Sequence, residues 1–222
     1  MKIHRIANLL PLLALSFTLA NTSACKSEID DKPKAKVEDA GKKAAEPPKD
    51  DKAPVPAVVE LTLAKDKSKV GFIGAKITAD HPGSFSEFTG TAKVADGKLQ
   101  SLDIVVDTKS LTADPVDLQN HLKAADFFDV EKFPEAKFSM LEITEKPGEG
   151  GATHEIAGNL EMKGVTKKIT FPATVTISEA EVHGKASFKI ERALWGITYE
   201  GMKDDAIKPE VALELDLHFP RA

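Results

Sequence analysis

From residue 58 onward the apolar positions recur at every second residue. Val59, Leu61 and Leu63 alternate with Glu60 and Thr62, and Leu102, Ile104 and Val106 alternate with Ser101, Asp103 and Asp107. The same period runs through Ile156 to Met162, Ile169 to Ile177, Val182 to Ile190 and Val211 to Phe219, with shorter stretches at Val70–Phe72 and Phe138–Met140. A period of two describes strands with one dry face and one wet face. Turn residues separate the runs: Asp66-Lys67-Ser68, Asp96-Gly97, Gly148 to Gly151, Lys163-Gly164 and Ser178 to Glu181. Asp96-Gly97 between two strands predicts a tight hairpin. The pattern therefore predicts an all-β domain of about eight antiparallel strands, closed as a barrel or folded as a two-sheet sandwich. One interval departs from it. Between Thr112 and Asp129 the spacing is helical, with Leu118 and Leu122 on one face and Asp114-Pro115 as the start signal. The adjacent Phe127 and Phe128 predict a plug or lid beside this short helical insertion.

Small residues interrupt the dry faces. Gly158, Gly184, Ala173, Ala186 and Ala92 stand where a filled core would carry branched aliphatics. A barrel of eight strands either packs its interior or holds one small apolar ligand. Alternation leaves both open.

The N-terminal region has a different character. Lys2 and Arg5 precede an apolar run from Ile6 to Ala20, followed by Thr22, Ser23 and Ala24. This order predicts a signal peptide over residues 1–24. The run is shorter than the roughly 20 apolar residues of a membrane-spanning helix. Cys25 is the only cysteine. Its placement resembles the lipobox of bacterial lipoproteins, with Thr22 where that motif usually carries Leu. The resemblance implies that Cys25 is lipidated and anchors the chain to a membrane; ordinary cleavage after Ala24 would leave a free thiol. Residues 25–57 read as this cysteine plus a linker. Within residues 26–57, eight lysines balance eight acids, and Pro33, Pro47, Pro48, Pro54 and Pro56 interrupt them. Such a stretch predicts disorder, with a reach of roughly 30 Å. The folded domain is then residues 58–222.

Charge and chemistry narrow the function. A net charge of -5 over 222 residues argues against a nucleic-acid partner. One cysteine excludes an intrachain disulfide and a cysteine-based zinc finger. Five histidines follow residue 25, none at HxH or HExxH spacing: His183 and His218 fall on wet faces, and His81, His121 and His154 in or near turns. No GxSxG elbow or nucleophile–base pair is visible. No catalytic residue, metal ligand or cofactor site is expected, apart from a bound lipid. Arg192 ends a strand just before Trp195-Gly196. It reads either as a cation for a ligand head group or as an ion-paired arginine whose stem covers Trp195.

Six motifs in order complete the picture: Asp66-Lys67-Ser68-Lys69-Val70-Gly71-Phe72, Gly83-Ser84-Phe85-Ser86-Glu87-Phe88-Thr89-Gly90, His121 to Asp129, Phe133-Pro134-Glu135-Ala136-Lys137-Phe138, Gly158 to Lys167 and Arg192-Ala193-Leu194-Trp195-Gly196-Ile197. Through them residues 66–219 resemble the YceI-like family of bacterial exported proteins. The resemblance implies an eight-stranded, lipocalin-like antiparallel barrel that binds isoprenoid chains or similar amphiphiles without catalysis. Two departures are the compact stretch Tyr199 to Pro209 and Trp195 where Phe is frequent. The expected function is non-catalytic binding of a long apolar ligand, isoprenoid, quinone-like or fatty-acyl. The alternative is a packed-barrel interaction module of the cell envelope with no lipid ligand. The expected ligand-binding residues are Phe72, Phe85, Phe88, Ile104, Leu122, Phe127, Phe128, Phe138, Met140, Leu160, Met162 and Trp195. The expected location is the periplasmic face of a bacterial membrane. Lys26 after the cysteine favours the outer membrane, by analogy with lipoprotein sorting.

Overall fold

The computed structural model describes residues 26–42 and 57–221. The expected signal peptide, Cys25 and the part of the linker from 43 to 56 lie outside the described residues. In chain order the elements are β1 (Lys36–Asp39), β2 (Val59–Thr62), β3 (Lys69–Lys76), β4 (Asp80–Phe85), β5 (Phe88–Ala95), β6 (Lys98–Asp107), β7 (Leu111–Ala113), α1 (Val116–Lys123), β8 (Glu135–Glu145), β9 (His154–Met162), β10 (Val165–Ile177), β11 (Glu181–Glu191), β12 (Gly201–Met202) and β13 (Asp205–Pro220). The strands form one curled antiparallel sheet in the order β2-β5-β6-β8-β9-β10-β11-β13-β3-β4-β7, with β1 on β10 and β12 on β13.

The all-β barrel with one short helix is as the pattern implies, but with thirteen strands rather than about eight. β1, β2, β7 and β12 have four residues or fewer. β4 hides its pairing behind Pro82 and Gly83, and β5 fills its inward positions with Gly90 and Ala92. The hairpin at Asp96-Gly97 is present, with both residues at positive φ, 51° and 71°. Lys163-Gly164 repeats it at 51° and 74°. Positive φ at both central positions matches the twist of the flanking strands, which is why Gly stands second in each turn.

The segment 26–42 departs from the expected linker. β10 pairs with β11 only over Thr174–Ile177 and with β9 along Val165–Ala173. The two strands β10 and β11 diverge beyond that short pairing, and the N-terminal segment enters the gap. Lys36–Asp39 pair antiparallel with Lys167–Thr170 of β10. On the other side Ala35 N–H donates to the Lys189 carbonyl of β11, and Lys189 N–H donates to the Pro33 carbonyl, both at 2.9 Å. Ala35 joins the main core and Val37 packs against it. Upstream, Ile29 is buried on the outer wall against Ile73, Ala75 and Ala212. Downstream, Asn159 clamps Gly41, accepting from its N–H at 2.9 Å and donating to its carbonyl at 2.7 Å.

Lysines and acids of this segment meet a complementary wall. Lys32 pairs with Glu214 at 2.7 Å, Lys34 with Glu210 at 2.9 Å, and Asp30 with Lys208 at 2.7 Å. Partly exposed pairs such as Lys34–Glu210 contribute at most about 1 kcal/mol. Burial of Ile29 contributes about 1.5–3 kcal/mol. The apolar anchor and the strand bonds therefore hold the segment, and the charges set where it lies. A stretch counted as charge-balanced in isolation looked unable to fold because its partners are 150 or more residues away in the chain.

Two outcomes are expected. Hydrogen bonds from Lys34 and Lys189 hold the Glu210 carboxyl below its ordinary range, and one from Lys208 does the same for Asp30. Folded values lower than unfolded ones mean that docking keeps this contribution above the ordinary carboxylate range, about 4, and loses it as pH falls through the lowered values. Amide protection over residues 26–42 should therefore be lower at pH 3, about one unit below the ordinary value, than at pH 5, about one unit above it. Equal protection at both would contradict this assignment. Ile29→Asp should release the same residues at neutral pH while protection in β9 and β13 is retained.

Candidate functional site

Inside the sheet lies a cavity of about 220 Å³. About 10–15 Å³ of such space holds one water, so this is a ligand-sized void rather than a packing defect. Its wall follows from the pleat. Val70 and Phe72 of β3, Ile104 and Val106 of β6, Ile169 and Phe171 of β10, and Leu213, Leu215 and Leu217 of β13 all project inward and line it. Phe72, Phe85 and Phe128 form one aromatic chain, with centroids 5.7 and 5.8 Å apart. Phe138, Phe171 and Phe188 form another, at 5.8 and 4.0 Å, the last pair stacked at 13°. Towards the β5–β6 turn the interior is filled by Leu61, Ala92, Val94 and Leu99.

The helix covers part of the cavity. Leu118 and Leu122 of α1 line it, as do Phe127 and Phe128 in the turns that follow. His121 stacks edge-on against Phe127 and Tyr199, at 5.0 and 4.8 Å, which ties this cover to the segment before β12.

Nine of the twelve residues expected at the site line the cavity: Phe72, Phe85, Ile104, Leu122, Phe127, Phe128, Phe138, Leu160 and Met162. Phe88, Met140 and Trp195 do not. Phe88 is buried with Leu63 in the core and lines a separate pocket with it instead. Met140 is buried next to the register shift between Met140 and Glu142, which interrupts the inward alternation of β8. Trp195 is fully buried behind the wall, and its Nε1–H donates to the Leu160 carbonyl at 3.1 Å. An indole needs that partner when buried, and a cavity wall could not supply it. The sequence reading passed over Phe171, Phe188, Ile169 and Ile190 as site residues, although their alternation marks them as inward-facing. Their strands were legible; which part of each strand meets empty space was not.

The small residues divide in the same way. Gly184, Ala173 and Ala186 line the cavity. A Cβ at Gly184 would meet nothing within 4 Å. Gly158 instead makes room for the Phe138 ring, which would collide with a Cβ there, and Ala92 belongs to the packed end.

Arg192 fits neither of its two expected roles fully. It is buried, 8% exposed, and lines the cavity. Its Nε–H donates to the Lys208 carbonyl at 3.1 Å, Nη1 to Ile197 at 2.8 Å and Nη2 to Ile207 at 3.5 Å. The register shift between Ile207 and Val211 leaves carbonyls of β13 for it. Burial pushes the guanidinium below its ordinary value, and Glu200 opposes the shift. No carboxylate pairs with it among the described residues. The remaining polar lining is Lys76, His81, Lys137, Lys185, Lys208 and Glu210, and all other lining residues are apolar or glycine.

Comparison with known proteins agrees with this architecture. A UPF0312 protein of Pseudomonas putida is 31% identical over 140 residues, 60% of this chain and 71% of that protein. A UPF0312 protein of Shewanella denitrificans is 35% identical over 104 residues, 45% of this chain and 51% of that protein. The solved structure of Burkholderia cenocepacia BcnA shares the fold with TM-score 0.62 at 23% identity, covering 70% of this chain and 98% of that one. A polyisoprenoid binding domain from Saccharophagus degradans, implicated in plant cell wall breakdown, gives TM-score 0.58 at 12% identity, covering 76% of this chain and all of that one. The model of the YceI-like domain matches residues 61–219. With that match spanning most of its length and running through every cavity-lining strand, the chain belongs to the YceI-like family.

Proposed function

We propose that the barrel holds one long apolar ligand, of isoprenoid, quinone-like or fatty-acyl class, and performs no chemistry on it. The observation that carries this reading is the cavity of about 220 Å³ with its apolar wall and the open space at Gly184. Each methylene moved from water into such a wall contributes about 0.8 kcal/mol, so a chain binds firmly with few polar contacts. The relative from Saccharophagus degradans described as polyisoprenoid-binding supports the ligand class. Arg192 and the lysines of the lining favour a ligand whose polar head rests beside them while its tail runs along the aromatic chains. We further propose that the protein is exported and held at a bacterial membrane, on its periplasmic side, by a lipid on Cys25.

The first test is native mass spectrometry of the chain from Lys26, purified from cells without detergent and extracted with organic solvent. A stoichiometric apolar adduct is expected, and its mass assigns the class. A bare chain that also takes up no added polyprenyl alcohol or fatty acid would favour a barrel that serves protein contacts alone. Gly184→Val separates the readings further. Three added carbons occupy room for about three methylenes, so affinity should fall roughly fifty-fold at about 0.8 kcal/mol each while the protein folds normally. Unchanged affinity would place the ligand elsewhere. Cys25→Ser should move the protein from the membrane fraction to the soluble one; retention in the membrane fraction would remove the anchor from the proposal.

A further inference from the structure

The outer wall of β11 and β13 carries a second group of converging side chains, outside the cavity. His183 and His218 are directly opposite each other in the β11–β13 register. Their neighbours Val182, Leu217 and Phe219 are buried, so the pleat sends both imidazoles outward. The two rings lie face to face, with centroids 4.0 Å apart and 17° between planes. Asp216 Oδ1 is 2.7 Å from His183 Nε2 and 3.2 Å from His218 Nε2, so one oxygen addresses both rings. Glu181 Oε2 is 3.1 Å from His218 Nδ1. Donor atoms of Glu181, His183 and His218 all lie within 4.8 Å of one another.

The group is also held in place. His218 N–H donates to Ser68 Oγ at 3.0 Å, and the His218 carbonyl accepts from Ala64 N–H at 2.8 Å. Lys185 engages the other oxygen of Asp216, Oδ2, at 3.1 Å and leaves Oδ1 turned to the histidines. Both imidazoles are only about a quarter exposed, 25% for His183 and 22% for His218.

We propose that these four residues form a site for a divalent late transition-metal ion of the zinc or copper class. Two imidazole nitrogens with carboxylate oxygens suit these ions, whereas magnesium and calcium take oxygen ligands alone. Zinc bonds of about 2.0–2.2 Å in a tetrahedron put ligand atoms about 3.3 Å apart. Side-chain rotation would have to close the present spread, up to 4.8 Å, to that spacing. The second carboxylate has a ready role, because a ligating histidine usually gives its other ring nitrogen to one. Two stacked rings share one carboxylate oxygen and a second acid stands at the far nitrogen of His218, so two imidazoles and two carboxylates converge on one spot. An ion here would join β11 to β13, while Gly184, next to His183 on β11, faces the cavity on the other side of the wall.

The test is calorimetric titration of the full-length protein with zinc chloride and with copper(II) chloride, in chelator-free buffer at neutral pH. Saturable binding of one ion is expected. His183→Gln and His218→Gln should each weaken it by tenfold or more, whereas His154→Gln, elsewhere on the barrel, should leave it unchanged. The melting temperature should rise with metal in the wild type and not in the two variants. Should either variant fail to fold, electron paramagnetic resonance of the copper-loaded wild type decides, with coupling to two imidazole nitrogens expected. Absence of saturable binding, equal binding by His218→Gln, or a spectrum without two coupled nitrogens would overturn the site.

Discussion

The divergence of β10 from β11 governs much of this molecule. A strand of 13 residues in a twisted sheet pairs with β9 along one part and with β11 along another, and each part leaves an open edge. An unpaired edge at a cavity wall is costly twice over: its amides lack partners, and water or another chain can enter. Residues 34–39 remove both costs by supplying an added strand that bonds to both sides of the gap. The stacked Phe171 and Phe188 sit on the two diverging strands, so the apolar interior at this place depends on a wall completed from outside the main meander.

One sheet then serves two chemistries. Its inner face presents aromatic and aliphatic side chains to a void, and its outer face presents charge. Along β11, Val182, Gly184, Ala186, Phe188 and Ile190 face in, while Glu181, His183 and Lys189 face out. The period of two lets a binding cavity and a polar cluster occupy successive residues without competing for the same space. It also makes each position on β11 and β13 sensitive to register, since a slip of one residue would exchange the two faces.

The strands, the short helix and most of the wall were legible in the sequence because each rests on local signals: alternation, Asp-Gly and Lys-Gly turns, and a brief change of period. What escaped depends on pairs distant in the chain. β1 could not be read from Lys36-Val37-Glu38-Asp39, because its strand partners are Lys167–Thr170, and the segment just before it is seated by Glu210, Glu214, Ile73 and Ala212. Gly158 and Gly184 look alike in the sequence, yet one seats the Phe138 ring and the other faces empty space. Trp195 is large and apolar like a wall residue, whereas its indole nitrogen commits it to the Leu160 carbonyl. The acceptors of Arg192 are backbone carbonyls that no local pattern marks, Lys208 and Ile207 at an irregularity in β13 and Ile197 ahead of it. The outward histidines were seen on wet faces, but the register that sets His183 opposite His218 comes only with the pairing of β11 and β13.

Both ends of the stretch 43–56 are tied to the barrel, at Gly41 through Asn159 and at Val59 through β5. The docked segment 26–42 and the barrel are thus joined covalently. A single cut between residues 42 and 57 would turn residues 26–42 into a bound peptide and the remainder into its receptor. Rebinding would no longer be favoured by covalent proximity, and occupancy of the gap between β10 and β11 would become a matter of concentration. The wall of the cavity would then have an exchangeable part, supplied in trans by any chain able to match the same edge.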